Sequence, residues 1–217
     1  MKRYIKSAII PVIEEDMETK MYIAKNSDNP DTLRELYEWA KNRSGFVTAT
    51  ILSNPNAPQD ILSNDSFLSN KELRYVLASN PNTPISMLRK LSEYPDTHAR
   101  LSQNPSIPED VMHSMLISAN PSARVNLASN PSTPVDMLDK LADNSDHWVR
   151  HDVASNPNTP TDVLRKLLHD ESDYVLENVM GNPNTTPDMV WEIYNWTDGS
   201  IRDMAKYRLQ ELGEWGK

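Results

Sequence analysis

The 217-residue chain carries 31 acidic against 22 basic side chains, for a net charge of −9, and has no cysteine. Disulfides, thiolate-bound zinc and iron-sulfur clusters are thereby excluded, and the negative balance opposes non-specific binding to nucleic acid unless a basic stripe is gathered locally. Mean hydropathy is −0.63, no apolar run approaches the roughly 18 residues of a membrane span, and the sixteen prolines recur at regular places rather than in clusters.

The opening stretch, MKRYIKSAIIPVIEED, sets basic residues before a short apolar run, but Lys6 and Pro11 interrupt that run and acids follow at once. A secretory signal is not expected from this pattern. Residues 1–15 read as an N-terminal segment or cap, and a cysteine-free chain points to a reducing cytoplasm.

A period then takes over. LASNPNTP at 77–84, LASNPSTP at 127–134 and VASNPNTP at 153–160 are near copies, with weaker forms at 51–58, 101–108 and 179–187. The Asn before proline falls at Asn54, Asn80, Asn104, Asn130, Asn156 and Asn182, spaced by 26, 24, 26, 26 and 26 residues, and Asn26 begins the series with Ser27 in place of proline. We call this residue the phase Asn. Ten residues before each one stand Asp16, Ser44, Asn70, Tyr94, Asn120, Asp146 and Ser172, and the next step falls on Asp198. All but Tyr94 are strong helix N-caps, and Asp96 is available near that exception. Each cap predicts a first helix, A, that runs to the phase Asn, where the following proline disfavours helical geometry. Its core face is an i, i+4 pair: Val47 and Ile51, Leu73 and Leu77, Val149 and Val153, Val175 and Val179.

A second helix, B, is predicted after Thr83, Thr133 and Thr159, read as N-caps with proline at the first helical position and with Asp136 and Asp162 completing a capping-box-like pattern. It should bury Met87, Leu88 and Leu91, and the matching triplets around Met112, Leu138 and Leu164. Asn120-Pro121 reads as a cap and first residue of a helix A. Residues 16–197 are then about seven tandem helical hairpins, and 198–217 a capping helix of about 199–213 with a tail, in a single domain. The class is an all-α solenoid, elongated beyond a compact globule.

VRHDVASNPNTPTDVLRKL at 149–167 resembles the leucine-rich repeat variant family, and the resemblance extends over about residues 16–212. It implies a right-handed superhelix of alternating α and short 3-10 helices, so one helix per repeat is expected to be the shorter. The cysteine-ligated cluster associated with that family has no ligands here. The Val-Arg pair is also similar to HEAT repeats. No cofactor is implied, and a fold of this kind does not by itself specify an activity.

Two sets of residues are candidates for function. Six residues before the phase Asn, a cation recurs as Lys20, Arg74, Arg124, Arg150 and, after the last repeat, Arg202, with His98 between. This ladder either grips phosphates or an acidic partner, or stacks and pairs between repeats. The second set lies four and five residues before the phase Asn, outside the core spacing, and varies from repeat to repeat: Tyr22, Tyr75, Arg100, His151, Asp152 and Glu177, with Trp148 and Tyr174 beside it. Variable side chains on a constant scaffold suit partner recognition. The phase Asn itself reads as a local backbone hydrogen-bonding residue, and the basic residues of helix B as a solvated face in which Asp136 pairs with Lys140 and Asp162 with Lys166.

His147 and His151 have a spacing able to share a metal, but no third ligand is defined, so no metal site is expected. The scattered carboxylates and serines belong to caps, and no phosphate-cradling loop is present. The reading that follows is a monomeric, non-catalytic protein-binding scaffold, adaptor or inhibitor in the cytoplasm. The alternative is a nucleic-acid binder using the basic ladder.

Overall fold

The computed structural model describes residues 16–117 and 121–216, and every regular element among them is helical. The predicted N-terminal segment 1–15 and the cap Asn120 lie outside the described residues. The chain forms two compact units, Met1–Thr97 and His98–Lys217.

In the first unit the A helices are α1 (Met17–Asn26), α3 (Gly45–Ser53) and α5 (Lys71–Ser79), alternating with the B helices α2 (Pro30–Ala40), α4 (Gln59–Leu62) and α6 (Ile85–Leu91). Short 3-10 turns cover Asp65–Ser69 and Pro95–Thr97. In the second unit the A helices are α7 (His98–Leu101), α9 (Pro121–Ser129), α11 (His147–Ser155), α13 (Asp173–Gly181) and the terminal α15 (Gly199–Glu211). The B helices there are α8 (Glu109–Leu116), α10 (Val135–Ala142), α12 (Thr161–Lys166) and α14 (Pro187–Trp196). Consecutive A helices pack side by side, α1 on α3 on α5 and α9 on α11 on α13 on α15. This is the helical-repeat architecture read from the period, with B the shorter helix after α3, α5, α9 and α11 and the longer one after α1, α7 and α13.

The A helices end where the Asn-Pro pairs require. Asp16, Ser44, Asn70 and Asp146 accept N–H bonds from the first turn, and α3, α5, α9, α11 and α13 all stop one residue before a phase Asn. The i, i+4 core pairs are buried except for Leu73, which lies at a half-buried edge. Ala78, Ala128 and Ala154, two before the phase Asn, are also fully buried. Small side chains there let successive A helices approach.

The phase Asn is more than a local cap. Its Oδ1 accepts the N–H two residues on, as in Asn156 to Asn158 at 2.9 Å, which closes an Asx turn. Its Nδ2 donates to two backbone carbonyls of the preceding repeat: Asn156 to Ala128 at 2.8 Å and Asn130 at 3.0 Å, Asn182 to Ala154 at 2.7 Å and Asn156 at 2.9 Å, Asn80 to Leu52 at 2.7 Å and Asn54 at 2.8 Å. These amides are 2% exposed. The series starts differently: Asn26 is exposed and bonds only within its helix to Tyr22, and Asn54 reaches Ala24 and Ser27 instead.

After Thr83, Thr133 and Thr159 helix B starts one residue later than predicted and by another device, whereas α14 starts at Pro187 after Thr186. Pro84, Pro134 and Pro160 are themselves the cap residues, and Thr83, Thr133 and Thr159 make no cap. Their hydroxyls donate backward to the carbonyls of Leu77, Leu127 and Val153, at 2.7, 2.6 and 2.6 Å. A buried hydroxyl must find an acceptor, and the carbonyls left unpaired at the C-terminal end of helix A supply it. Asp96, likewise, is drawn into an ion pair rather than capping α7. Lys140 pairs with Asp136 at 3.2 Å, but Lys166 turns away from Asp162 to Asp139 and Asp143 of the previous repeat, at 2.6 and 3.3 Å.

Candidate functional surface

The basic ladder is largely occupied by the protein's own groups. Arg150 on α11 forms a two-pronged pair with Asp170, Nε to Oδ2 at 2.6 Å and Nη2 to Oδ1 at 3.0 Å, and donates through Nη1 to the Asn144 carbonyl at 2.8 Å. Their side chains are 11% and 5% exposed, and the hydrogen bonds to Asp170 push the guanidinium above its already high value. Arg74 on α5 repeats the arrangement in the first unit, with Nη2 to Asp96 at 2.6 Å, Nη1 to the Leu68 carbonyl at 2.8 Å and its guanidinium 4.5 Å from the centre of the Tyr94 ring. Lys20 is buried with its ammonium 4.7 Å above Trp39, and Arg202 is exposed but lies 4.7 Å above Tyr194. Arg124 is half-buried on α9.

The variable set divides. Tyr22 on α1 is 68% exposed, and Tyr75 on α5 is half-buried with the Lys71 ammonium 5.4 Å over its ring. Arg100 is exposed on α7. On α11, Trp148 stacks on Tyr174 of α13 with ring centres 5.8 Å apart and an interplanar angle of 22°, while 49% and 57% of these residues remain open to solvent. His151 lies edge-on to Trp148 at 5.5 Å, and its Nδ1 is 2.8 Å from Asp152 Oδ1. Glu177 belongs elsewhere, to a groove between α13 and α15.

His147 and His151 both pack against Trp148, and His151 Nδ1 is taken by Asp152. The sequence reading missed another grouping. Glu109 and His113 on α8 and Asp136 on α10 bring ligand atoms within 4.8 Å of one another. His113 Nε2 is 3.6 Å from Glu109 Oε1 and 3.9 Å from Asp136 Oδ2, and Lys140 holds the same Asp136 oxygen at 3.2 Å. The Glu109–His113 spacing is visible in the chain. Asp136 joins it only because the fold brings the start of α10 near His113, and a cation entering there would have to displace the Lys140 ammonium.

Residues 147–172, one repeat from the start of α11 to the start of the next A helix, match the leucine rich repeat variant family. No curated protein and no solved structure matches the chain. No helix among the described residues is long and apolar enough to cross a membrane.

Proposed function

With residues 147–172 matched to the leucine rich repeat variant family, we propose that the chain is a non-catalytic scaffold, an adaptor or inhibitor that binds another protein through the outward side chains of its A helices. Its cysteine-free composition suits the reducing cytoplasm. One observation carries the reading: in the His98–Lys217 unit several side chains that recur are taken up by the protein's own groups, and the large exposed ones differ from repeat to repeat. Asn130, Asn156 and Asn182 bind backbone, and Arg150 binds Asp170. Trp148, Tyr174, Met204 and Tyr207 stay 49%, 57%, 41% and 63% exposed. Rigid aromatic side chains standing open on a fixed scaffold are the usual anchors of protein interfaces. The ion pairs of Arg74 and Arg150 weaken the nucleic-acid reading, since a phosphate would have to replace a well-formed carboxylate partner.

The test is affinity capture with the wild type and with a Trp148→Ala, Tyr174→Ala double variant, alongside titration of labelled single-stranded RNA and duplex DNA. The expected result is a stoichiometric protein partner whose affinity falls at least tenfold in the double variant, with an unchanged melting temperature. Tight nucleic-acid binding with a steep salt dependence, weakened by Arg202→Glu, would overturn the proposal.

A further inference from the structure

Two exposed apolar side chains of α15, Met204 and Tyr207, border one groove. α13 and α15 pack together and leave a groove of about 430 Å³ between them. Its floor is Met180, 3% exposed, and the backbone of Gly181, and its walls are Met204 and Tyr207, 41% and 63% exposed. Carboxylates of Glu177, Asp203 and Glu211 line it, against one guanidinium, Arg208, which already donates to Glu211 at 3.2 Å.

Gly181 lies in the lining of this groove. The residue before the phase Asn is Lys25, Ser53, Ser79, Gln103, Ser129 and Ser155 in the other repeats, and glycine only here. Nothing in the fold requires it: Gly181 closes an ordinary α-helix without a positive φ, and a Cβ built on it would meet no atom within 4 Å. Space is therefore open at this position for a larger side chain.

We propose that this groove docks a basic amphipathic segment of a partner protein, which seats a bulky apolar side chain between Met204 and Tyr207 and sets Lys or Arg against Glu177, Asp203 and Glu211. The proposal rests on the scaffold reading above and names its partner's chemistry. Charge selects the occupant. A second copy would bring the same acidic face and another net charge of −9, and an anionic lipid surface would be repelled for the same reason, whereas a cationic segment is steered in. The thioethers supply a wall that adjusts to the shape of the incoming side chain.

The probe is a fluorescein-labelled synthetic amphipathic peptide of leucine and lysine, with a leucine-glutamate peptide of the same pattern as control, read by anisotropy. The wild type should bind the lysine peptide and not the glutamate one. Gly181→Phe, which fills the groove without changing any charge, should weaken binding about tenfold or more while leaving the melting temperature unchanged or higher. Should Gly181→Phe lower it, Tyr207→Ala, at an exposed wall position, is the second variant and should also weaken binding. Equal binding of both peptides, or binding indifferent to both substitutions, overturns the proposal. So does self-association abolished by Gly181→Phe, which would make a second copy the occupant. A protein partner lost by the Trp148→Ala, Tyr174→Ala variant but kept by Gly181→Phe would overturn the groove and leave the scaffold reading standing.

Discussion

Replacing Asn156 separates two accounts of why the phase Asn recurs. Its amide donates to the carbonyls of Ala128 and Asn130 and its Oδ1 accepts from the Asn158 N–H, in a site that is 2% exposed. In Asn156→Ala three hydrogen bonds worth about 1 kcal/mol each are lost and at least one buried polar group loses its partner at about 1–3 kcal/mol, so a destabilisation of about 4–6 kcal/mol is expected. Asn156→Asp is the sharper variant. It retains the acceptor for Asn158 but aims a carboxylate at two carbonyl oxygens, and should be worse than alanine. If the residue mattered only for its own turn, aspartate would be tolerated. Urea denaturation followed by far-ultraviolet circular dichroism measures both, with Asn26→Ala as control, since Asn26 is exposed and bonds only to Tyr22 of its own helix. A cost below about 1 kcal/mol for Asn156→Ala, or an aspartate variant as stable as the wild type, would refute the inter-repeat account.

Leu127→Ala, at a fully buried position of α9, should cost about 2–5 kcal/mol in the same assay. Arg150→Gln strands Asp170, whose side chain is 5% exposed, and should cost about 3 kcal/mol, whereas Arg202→Gln, exposed on α15, should cost under about 0.5 kcal/mol in differential scanning fluorimetry. Asp60, held by Arg34, and Asp16, held by the Thr19 N–H, both titrate below the ordinary carboxylate value of 3.8. The unfolded chain therefore takes up these protons first, so their stabilisation is intact above that value and is lost as pH falls through the lower folded values. The melting temperature should drop less steeply below about pH 4 in Asp60→Asn than in the wild type, by a small margin because the pair is exposed and screened. Gly181→Ala should raise helix stability by roughly 0.5–1 kcal/mol, its new Cβ meeting nothing.

The A helices were legible because caps and stops act over a few residues: Ser44 and Asn54, or Asp146 and Asn156, bracket their helix by local chemistry alone. The threonines were not, because a hydroxyl both donates and accepts, and only the turn between Asn80 and Thr83 decides that the Leu77 carbonyl wins. The partners of the ladder were hidden for a different reason. Asp96 and Asp170 lie 22 and 20 residues beyond Arg74 and Arg150, and that distance closes only when one repeat stacks on the next. Glu177 was visible as an outward residue of α13, but not the groove it borders, since Met204 and Tyr207 arrive from α15.

The backward donation by each phase Asn also makes the repeat a unit of inheritance. Cutting the gene after one Asn-Pro and rejoining it at the next removes or adds a 26-residue cassette, as from Asn130 to Asn156 or Asn156 to Asn182. Every new seam then places an Asn amide over the same two carbonyls. A copying error of one whole period yields a longer or shorter molecule with every such contact kept, and an error of any other length leaves one amide and two carbonyls without partners. A lineage carrying this sequence can therefore change the number of its display positions in one genetic step, with the side chains of each copy free to diverge afterwards.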